Sequence, residues 1–145
     1  MQIAEVVSRR STCFRRNVGA VIVADNNIVS IGYNGSPAGE PHCTGNGCAD
    51  PAKGCLRAVH AEYNAIQHIP KGVIGRRWSM YVTESPCATC AEYIECSPIG
   101  EVFFLHSYRL DAGRIHLMSL GIKLYRMTPA GHIIDCVTEE LVDVE

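Results

Sequence analysis

The sequence predicts an α/β fold: three layers, α/β/α, built on a five-stranded mixed sheet with helices on both faces. Two observations carry this. In the second half of the chain, short apolar runs alternate with helix-like segments, an order that implies parallel pairing through crossovers. In the first half, two apolar runs flank Asp25-Asn26-Asn27, the pattern of a hairpin. At 145 residues the chain has the length of one domain, taken as 1–145.

The elements follow in order. Residues 2–11 suit a short helix with Ile3, Val6 and Val7 on one side. Val18 to Val23 is a continuous β-branched run and reads as a buried strand, with Ile28 to Tyr33 as its hairpin partner. Residues 34–57 are rich in Gly and Pro, so they read as a long irregular insert that needs a function or a staple. His60 to Ile69 reads as a helix stopped at Pro70, and Met80 to Thr83 as a strand. Residues 87–97 form a helix broken at Pro98-Ile99-Gly100, and Glu101 to Leu105 is a strand. Asp111 to Leu120 is a helix with Asp111 as its cap and Gly121 as its stop. Ile122 to Arg126 is the last clear strand, and residues 129–145 carry no decisive pattern.

Composition narrows the function classes. Hydrophobic residues make up 47% and charged residues 19%, an ordinary globular balance. The net charge of −2 argues against a surface for polymeric nucleic acid. No apolar run is long enough to span a bilayer, and residues 1–12 lack the apolar stretch of a signal peptide, so the expected location is cytoplasmic. Eight cysteines then point to metal ligation rather than to a disulfide framework. Cys96 and Cys136 fall outside the two evident groups and read as small buried apolar residues.

Two short segments carry chemistry: His60-Ala61-Glu62 and Pro86-Cys87-Ala88-Thr89-Cys90. Together they form the H-x-E…P-C-x-x-C signature of zinc deaminases. His60, Cys87 and Cys90 supply three ligands and leave the fourth position open for water, whose pKa zinc lowers to about 7. Cys87 and Cys90, three apart at a helix start, lie on one face, where the helix dipole favours thiolate. His60 and Glu62 would diverge by about 200° inside a helix, so they converge only at its beginning. There the free N–H of Ala61 faces outward for a substrate carbonyl. Glu62 is the proton carrier, since a carboxylate accepts and donates in turn. A closed structural site would need a fourth protein ligand, for which Glu62 is an unusual choice.

The chain resembles the deoxycytidylate (dCMP) deaminases. His60-Ala61-Glu62-Tyr63-Asn64-Ala65-Ile66, Ser85-Pro86-Cys87-Ala88-Thr89-Cys90, Val18-Gly19-Ala20 and Gly32-Tyr33-Asn34-Gly35-Ser36-Pro37-Ala38-Gly39 carry the resemblance, in order, from about residue 9 to 126. It implies the cytidine deaminase-like fold and hydrolysis of dCMP to dUMP and ammonia, which supplies dUMP for thymidylate synthesis. It also implies a homohexamer activated by dCTP and inhibited by dTTP, with Mg2+ on the triphosphate and Gly35, Ser36, Pro37, Ala38 and Gly39 as a regulatory loop. By the same resemblance, Asn34 meets the deoxyribose and the Ala61 amide meets the base carbonyl O2. The Ser85 carbonyl meets the leaving amine, and Tyr108, Arg109 and Arg15 meet the 5′-phosphate. Arginine suits a phosphate because its donors form a planar fork. Asn34 also reads as a plain turn residue, because Asn-Gly favours turns.

Members of that family often hold a second, structural zinc, here expected on Cys13, Cys43, Cys48 and Cys55, with His42 as an alternative to Cys43. Such a site would pin the insert to the base of the hairpin. The rival readings are another deaminase of the superfamily, acting on a free base, a nucleoside or tRNA adenosine, and a non-catalytic nucleotide-sensing zinc module.

Overall fold

The computed structural model describes residues 1–43, 55 and 57–142. Half of the predicted insert over 34–57, residues 44–54 and 56, therefore lies outside the described residues, and Cys48 with it. The elements run α1 (Gln2–Ser8), β1 (Gly19–Ala24), β2 (Asn27–Tyr33), α2 (Ala61–Gln67), β3 (Trp78–Glu84), α3 (Ala88–Glu95), β4 (Glu101–His106), α4 (Ala112–Ser119), β5 (Lys123–Met127), β6 (Ile133–Asp135) and β7 (Leu141–Val142). Up to β5 this is the predicted order. Among the described residues, however, the sheet has seven strands rather than five, in the order β2-β1-β3-β4-β5-β6-β7. The two extra strands are antiparallel additions beside β5. They are two or three residues long and half-exposed, too short for any periodicity to show.

The pairing is mixed as expected. β1 runs antiparallel to β2 and β3, while β3, β4 and β5 are parallel. Asp25 and Asn26 both take positive φ (46° and 66°), the requirement of a tight two-residue hairpin turn. The two faces of the sheet are covered unequally. Ala20, Ile22, Met80, Val82, Val102, Phe104 and Leu124 alternate onto one face and pack against Ala61 and Ala65 of α2, Ala91 and Ile94 of α3 and Leu117 of α4. Fully burying a side chain of the size of Phe104 contributes roughly 1.5–3 kcal/mol. On the opposite face Ala4 and Val7 of α1 meet Val21.

That face of α1 corrects the expected one. Val7 is buried, but Ile3 and Val6 are 50% and 59% exposed, and the small Ala4 takes the inner position. Cys96 is also exposed rather than buried, whereas Cys136 packs partly buried against the main core. Asp111 stands at the N-cap of α4 without a capping bond, its carboxylate pairing with Arg114 instead. Gly121 does end that helix, with φ of 75°. Among the described residues no helix is long and apolar enough to cross a membrane.

One glycine sets the position of α2. A Cβ on Gly32 of β2 would lie 2.3 Å from both the Ala61 carbonyl oxygen and the Ala65 amide nitrogen. The bare backbone lets the helix sit directly on the strand, with alanines on its inner side.

At the other end of the sheet, buried Glu101 accepts from Arg77 Nε at 2.7 Å and from the Ser79 hydroxyl at 2.5 Å. Burial raises its pKa, but these two bonds outweigh burial and hold the carboxyl below its ordinary value. A depressed folded-state pKa stabilises the fold above the unfolded value of about 4.3 and loses that contribution as pH falls through the folded value. We expect Glu101→Gln to lower the urea midpoint at pH 7, with the gap to the parent chain narrowing below about pH 4. A gap that stayed constant across this range would show that the carboxylate charge is not what stabilises the strand end.

Candidate active site

Two helix beginnings meet above one end of the sheet. His60 is the N-cap of α2, in extended conformation (φ −79°, ψ 154°), and Cys87 is the N-cap of α3 (φ −75°, ψ 172°). Cys90 follows in the first turn of α3. Pro86 therefore precedes the cap rather than opening the helix. The His60 imidazole reaches across from one helix start to the other, with Nδ1 3.3 Å from Cys90 Sγ and 3.4 Å from Cys87 Sγ.

Among the described residues, His60, Cys87 and Cys90 are the one group of three metal-ligating side chains whose donor atoms all lie within 4.8 Å of one another. Zinc bonds of about 2.3 Å to sulfur and 2.0–2.1 Å to nitrogen, in a tetrahedron, put N and S about 3.5 Å apart. The observed 3.3 and 3.4 Å match that spacing, so the donor set fits zinc. Glu62 stands outside the group, so among the described residues this cluster offers three protein donors, the number of an open site rather than of a closed structural one.

The ligand atoms compete for protons. Hydrogen bonding to Cys90, then to His60, pulls the Cys87 thiol down to about 4. Sharing a proton with Cys87 pushes Cys90 up, and burial adds to this. The hydrogen bond to Cys87 raises His60 to about 8. A divalent cation displaces such protons when it binds. Glu62 lies beside the ligands, only 4% exposed. Burial pushes its pKa up to about 7, where a carboxyl exchanges protons readily at neutral pH.

A broad cleft opens over this cluster. Its walls bring together Ala61, Ser85, Asn34, Tyr108, Arg109 and Arg15, all six substrate contacts expected from sequence. Ala61 and Ser85 are almost fully buried. Asn34 is buried too, and its side chain is engaged: Oδ1 accepts from the Ser11 hydroxyl at 2.6 Å and the Val18 amide at 2.8 Å, and Nδ2 donates to the Arg16 carbonyl at 2.9 Å. It is thus a clamp on the segment before β1, more than a turn residue, and one Nδ2 proton is left for another acceptor.

Sequence reasoning missed several lining residues, Tyr63, Tyr93 and Glu84 among them. Tyr63 and Tyr93 meet with ring centroids 4.7 Å apart, forming one aromatic wall. They lie on different helices, so no local pattern pairs them. Glu84 forms an ion pair with Arg16 at 2.6 Å, and both line the cleft. Cys13, Cys43 and Cys55 line one small neighbouring pocket with Gly35 and Ser36, although they do not form a cluster as tight as the His60 group.

α4 is fitted against the ligand loop. A Cβ on Gly113 would lie 2.2 Å from the Pro86 carbonyl oxygen and 2.6 Å from the Cys87 carbonyl carbon.

The family described as "Cytidine and deoxycytidylate deaminase zinc-binding region" matches residues 1–106. A deoxycytidylate deaminase of Schizosaccharomyces pombe is 32% identical over 138 residues, 89% of this chain but 43% of that protein. The chain thus spans less than half of this relative's length. A deoxycytidylate deaminase of Mycobacterium phage D29 is 38% identical over 114 residues, 70% of this chain and 88% of the phage protein. Among solved structures, the dCMP deaminase of cyanophage S-TIM5 in complex with dCMP and dUMP superposes with a TM-score of 0.75 at 29% identity, covering 87% of this chain and 92% of that one.

The close packing at Gly113 makes a specific prediction. Gly113→Ala should displace Pro86-Cys87 and weaken zinc retention against a chelator, with a stability loss of roughly 1–3 kcal/mol from overpacking. Gly100→Ala, where an added Cβ meets nothing within 4 Å, is the control. Equal zinc content in the two variants after dialysis would refute the packing argument.

Proposed function

The chain belongs to the cytidine and deoxycytidylate deaminase family, and from that premise we propose that it hydrolyses dCMP to dUMP and ammonia. The observation that carries the reading is Glu62: a buried carboxyl with its pKa raised to about 7, beside three zinc-competent ligands at the floor of an open cleft. His60, Cys87 and Cys90 would hold zinc, which would supply the Lewis acidity that makes water a nucleophile near neutral pH.

The chain's own groups do the rest. Glu62 takes one proton from the attacking water and delivers it to the ring nitrogen of the base; it then takes the second proton from the newly bonded oxygen and gives it to the amine, which leaves as ammonia as the C–N bond breaks and the carbonyl forms. The Ala61 amide, at the first turn of α2, donates to the base carbonyl O2. The Ser85 carbonyl accepts from the exocyclic amine and so holds the carbon that is attacked. Asn34 contacts the deoxyribose through its remaining Nδ2 proton. Tyr108, Arg109 and Arg15 receive the 5′-phosphate, a charged group matched by the arginine fork. Glu84 meanwhile neutralises Arg16, which limits the positive charge at that wall.

A second zinc on Cys13, Cys43, Cys48 and Cys55, with His42 as an alternative, would brace the insert; the shared pocket of Cys13, Cys43 and Cys55 supports it. The loop Gly35–Gly39 is the place for dCTP and dTTP with Mg2+, in a homohexamer. What supports this placement is its attachment: Gly35 exchanges both backbone hydrogen bonds with Val59, at 3.0 and 2.8 Å, next to the ligand His60. The first residue of the loop is thereby paired with the chain neighbour of His60.

Two experiments test these readings. With dCMP, CMP, deoxycytidine and an adenosine-containing RNA as substrates, dCMP should turn over fastest, and Glu62→Gln should lower kcat by about 10²–10⁴ while keeping its zinc. No turnover of dCMP, or full activity in Glu62→Gln, would sink the proposal. Metal analysis of the intact protein should find two zinc ions per chain, falling to one in Cys13→Ser; one in the parent chain would remove the second site. Rates measured with dCTP or dTTP and Mg2+ check the regulation.

A further inference from the structure

Ser85 joins the two halves of the cleft. It directly follows β3 and stands two residues before the ligand Cys87, and it is 2% exposed. Its hydroxyl oxygen accepts the backbone N–H of Tyr108 at 2.8 Å, and its own N–H donates to the His106 carbonyl at 2.8 Å. Regular pairing between β3 and β4 ends at Glu84 opposite His106. Past that point Ser85 carries the connection on by a side chain, into the loop that presents Tyr108 and Arg109. The Arg109 guanidinium lies 5.9 Å from the centre of the Tyr108 ring, and both residues line the cleft.

We propose that the Ser85 hydroxyl is a positioning residue for nucleotide recognition: by holding the Tyr108 amide it fixes the Tyr108-Arg109 loop against the 5′-phosphate and so sets the preference for nucleotide over nucleoside. The inference rests on the reading of Tyr108 and Arg109 as phosphate contacts. A planar guanidinium fork pairs well with phosphate only over a narrow range of placement, so its supporting loop must be fixed. Without the hydroxyl, the Tyr108 N–H must turn to water or stay unpaired, and either outcome shifts the loop.

The test uses the zinc-loaded full chain and compares kcat/KM for dCMP and for deoxycytidine. Arg109→Ala should raise KM for dCMP and lower the ratio of the two kcat/KM values. Ser85→Ala should lower the same ratio about tenfold, the scale of one lost hydrogen bond, chiefly through KM. Ser85→Thr, which keeps the acceptor, should recover it. The double variant should lose little beyond Arg109→Ala alone, because both changes act through one contact. If Arg109→Ala lowers the ratio while Ser85→Ala leaves it intact, the positioning role is overturned. If Ser85→Ala instead loses zinc, or lowers kcat equally for both substrates, the hydroxyl serves the metal ligands or the fold, and the proposal is also overturned. An unchanged ratio in Arg109→Ala refutes the phosphate reading itself, a result separate from either of these.

Discussion

Three ligand atoms from two helices must come within a few ångströms of one another, and neither helix can achieve this alone. The rest of the structure serves that constraint. A ring nitrogen on the cap of α2 sits between two sulfurs at the start of α3, at 3.3 and 3.4 Å. Such spacing tolerates little slack, and slack is removed at the helix–sheet contacts. Where α2 meets β2 the chain has no side chain at Gly32 and only alanines at 61 and 65, so the gap is backbone against strand. Where α4 meets the Pro86-Cys87 loop, Gly113 plays the same part. Small residues fix distances because they leave no rotamer to adjust. The bulky residues Phe104, Ile22, Met80 and Ile94 lie deeper, where they supply burial rather than precision.

The electrostatics depend on the same convergence. A carboxyl, an imidazole and two thiols share a largely buried volume, and together they could carry more negative charge than such a place supports. Their proton affinities divide accordingly. Cys87 is pulled down to about 4 while Cys90 and Glu62 are pushed up, so the site favours one thiolate over several anions. A divalent cation relieves that competition, which is why the same three residues that strain for protons suit a metal. Glu62 remains outside that group, so its carboxyl is not one of the three clustered donors.

Much of this was legible in the sequence because the information is local. The spacing of His60 and Glu62 required a helix beginning, and the helix begins at Ala61. The spacing of Cys87 and Cys90 required one helix face, and Cys87 caps that helix. The hairpin turn at Asp25-Asn26 was legible from residue type, since both adopt positive φ. What was not legible depends on residues distant in the chain. Tyr63 and Tyr93 touch only because α2 and α3 lie side by side. Asn34 reads as a turn residue until Ser11, Arg16 and Val18 are seen around it. The inner face of α1 was misjudged because its large residues suggested burial, whereas close approach to the sheet selected Ala4. β6 and β7 gave no signal, since two or three half-exposed residues cannot establish an alternation.

The sheet register explains how such distant segments share one cleft. Gly19 pairs with Tyr33 and Ala20 with Val82, so Val18 extends the row that includes Asn34 on one side and Glu84 on the other. Glu84 pairs with His106, which continues the row to β4. Asn34, Val18, Glu84 and His106 therefore form a line across the sheet, although 88 positions separate the first and last in numbering. Everything that lines the cleft from these strands lies at or just past this line: Arg15 and Arg16 before β1, Ser85 after β3, and Tyr108 and Arg109 after β4. β3 and β4 are parallel and β1 is antiparallel to them, so two strand ends and one strand start open on the same side. Ligands of open α/β sheets bind outside the carboxyl ends of the parallel strands. Here the antiparallel hairpin adds the start of β1 to that edge, and with it the basic pair Arg15-Arg16. A purely parallel sheet would have sent those residues to the opposite edge, away from His60, Cys87 and Cys90. The mixed topology is what lets one edge hold both the His60-Cys87-Cys90 cluster and a basic wall of the cleft.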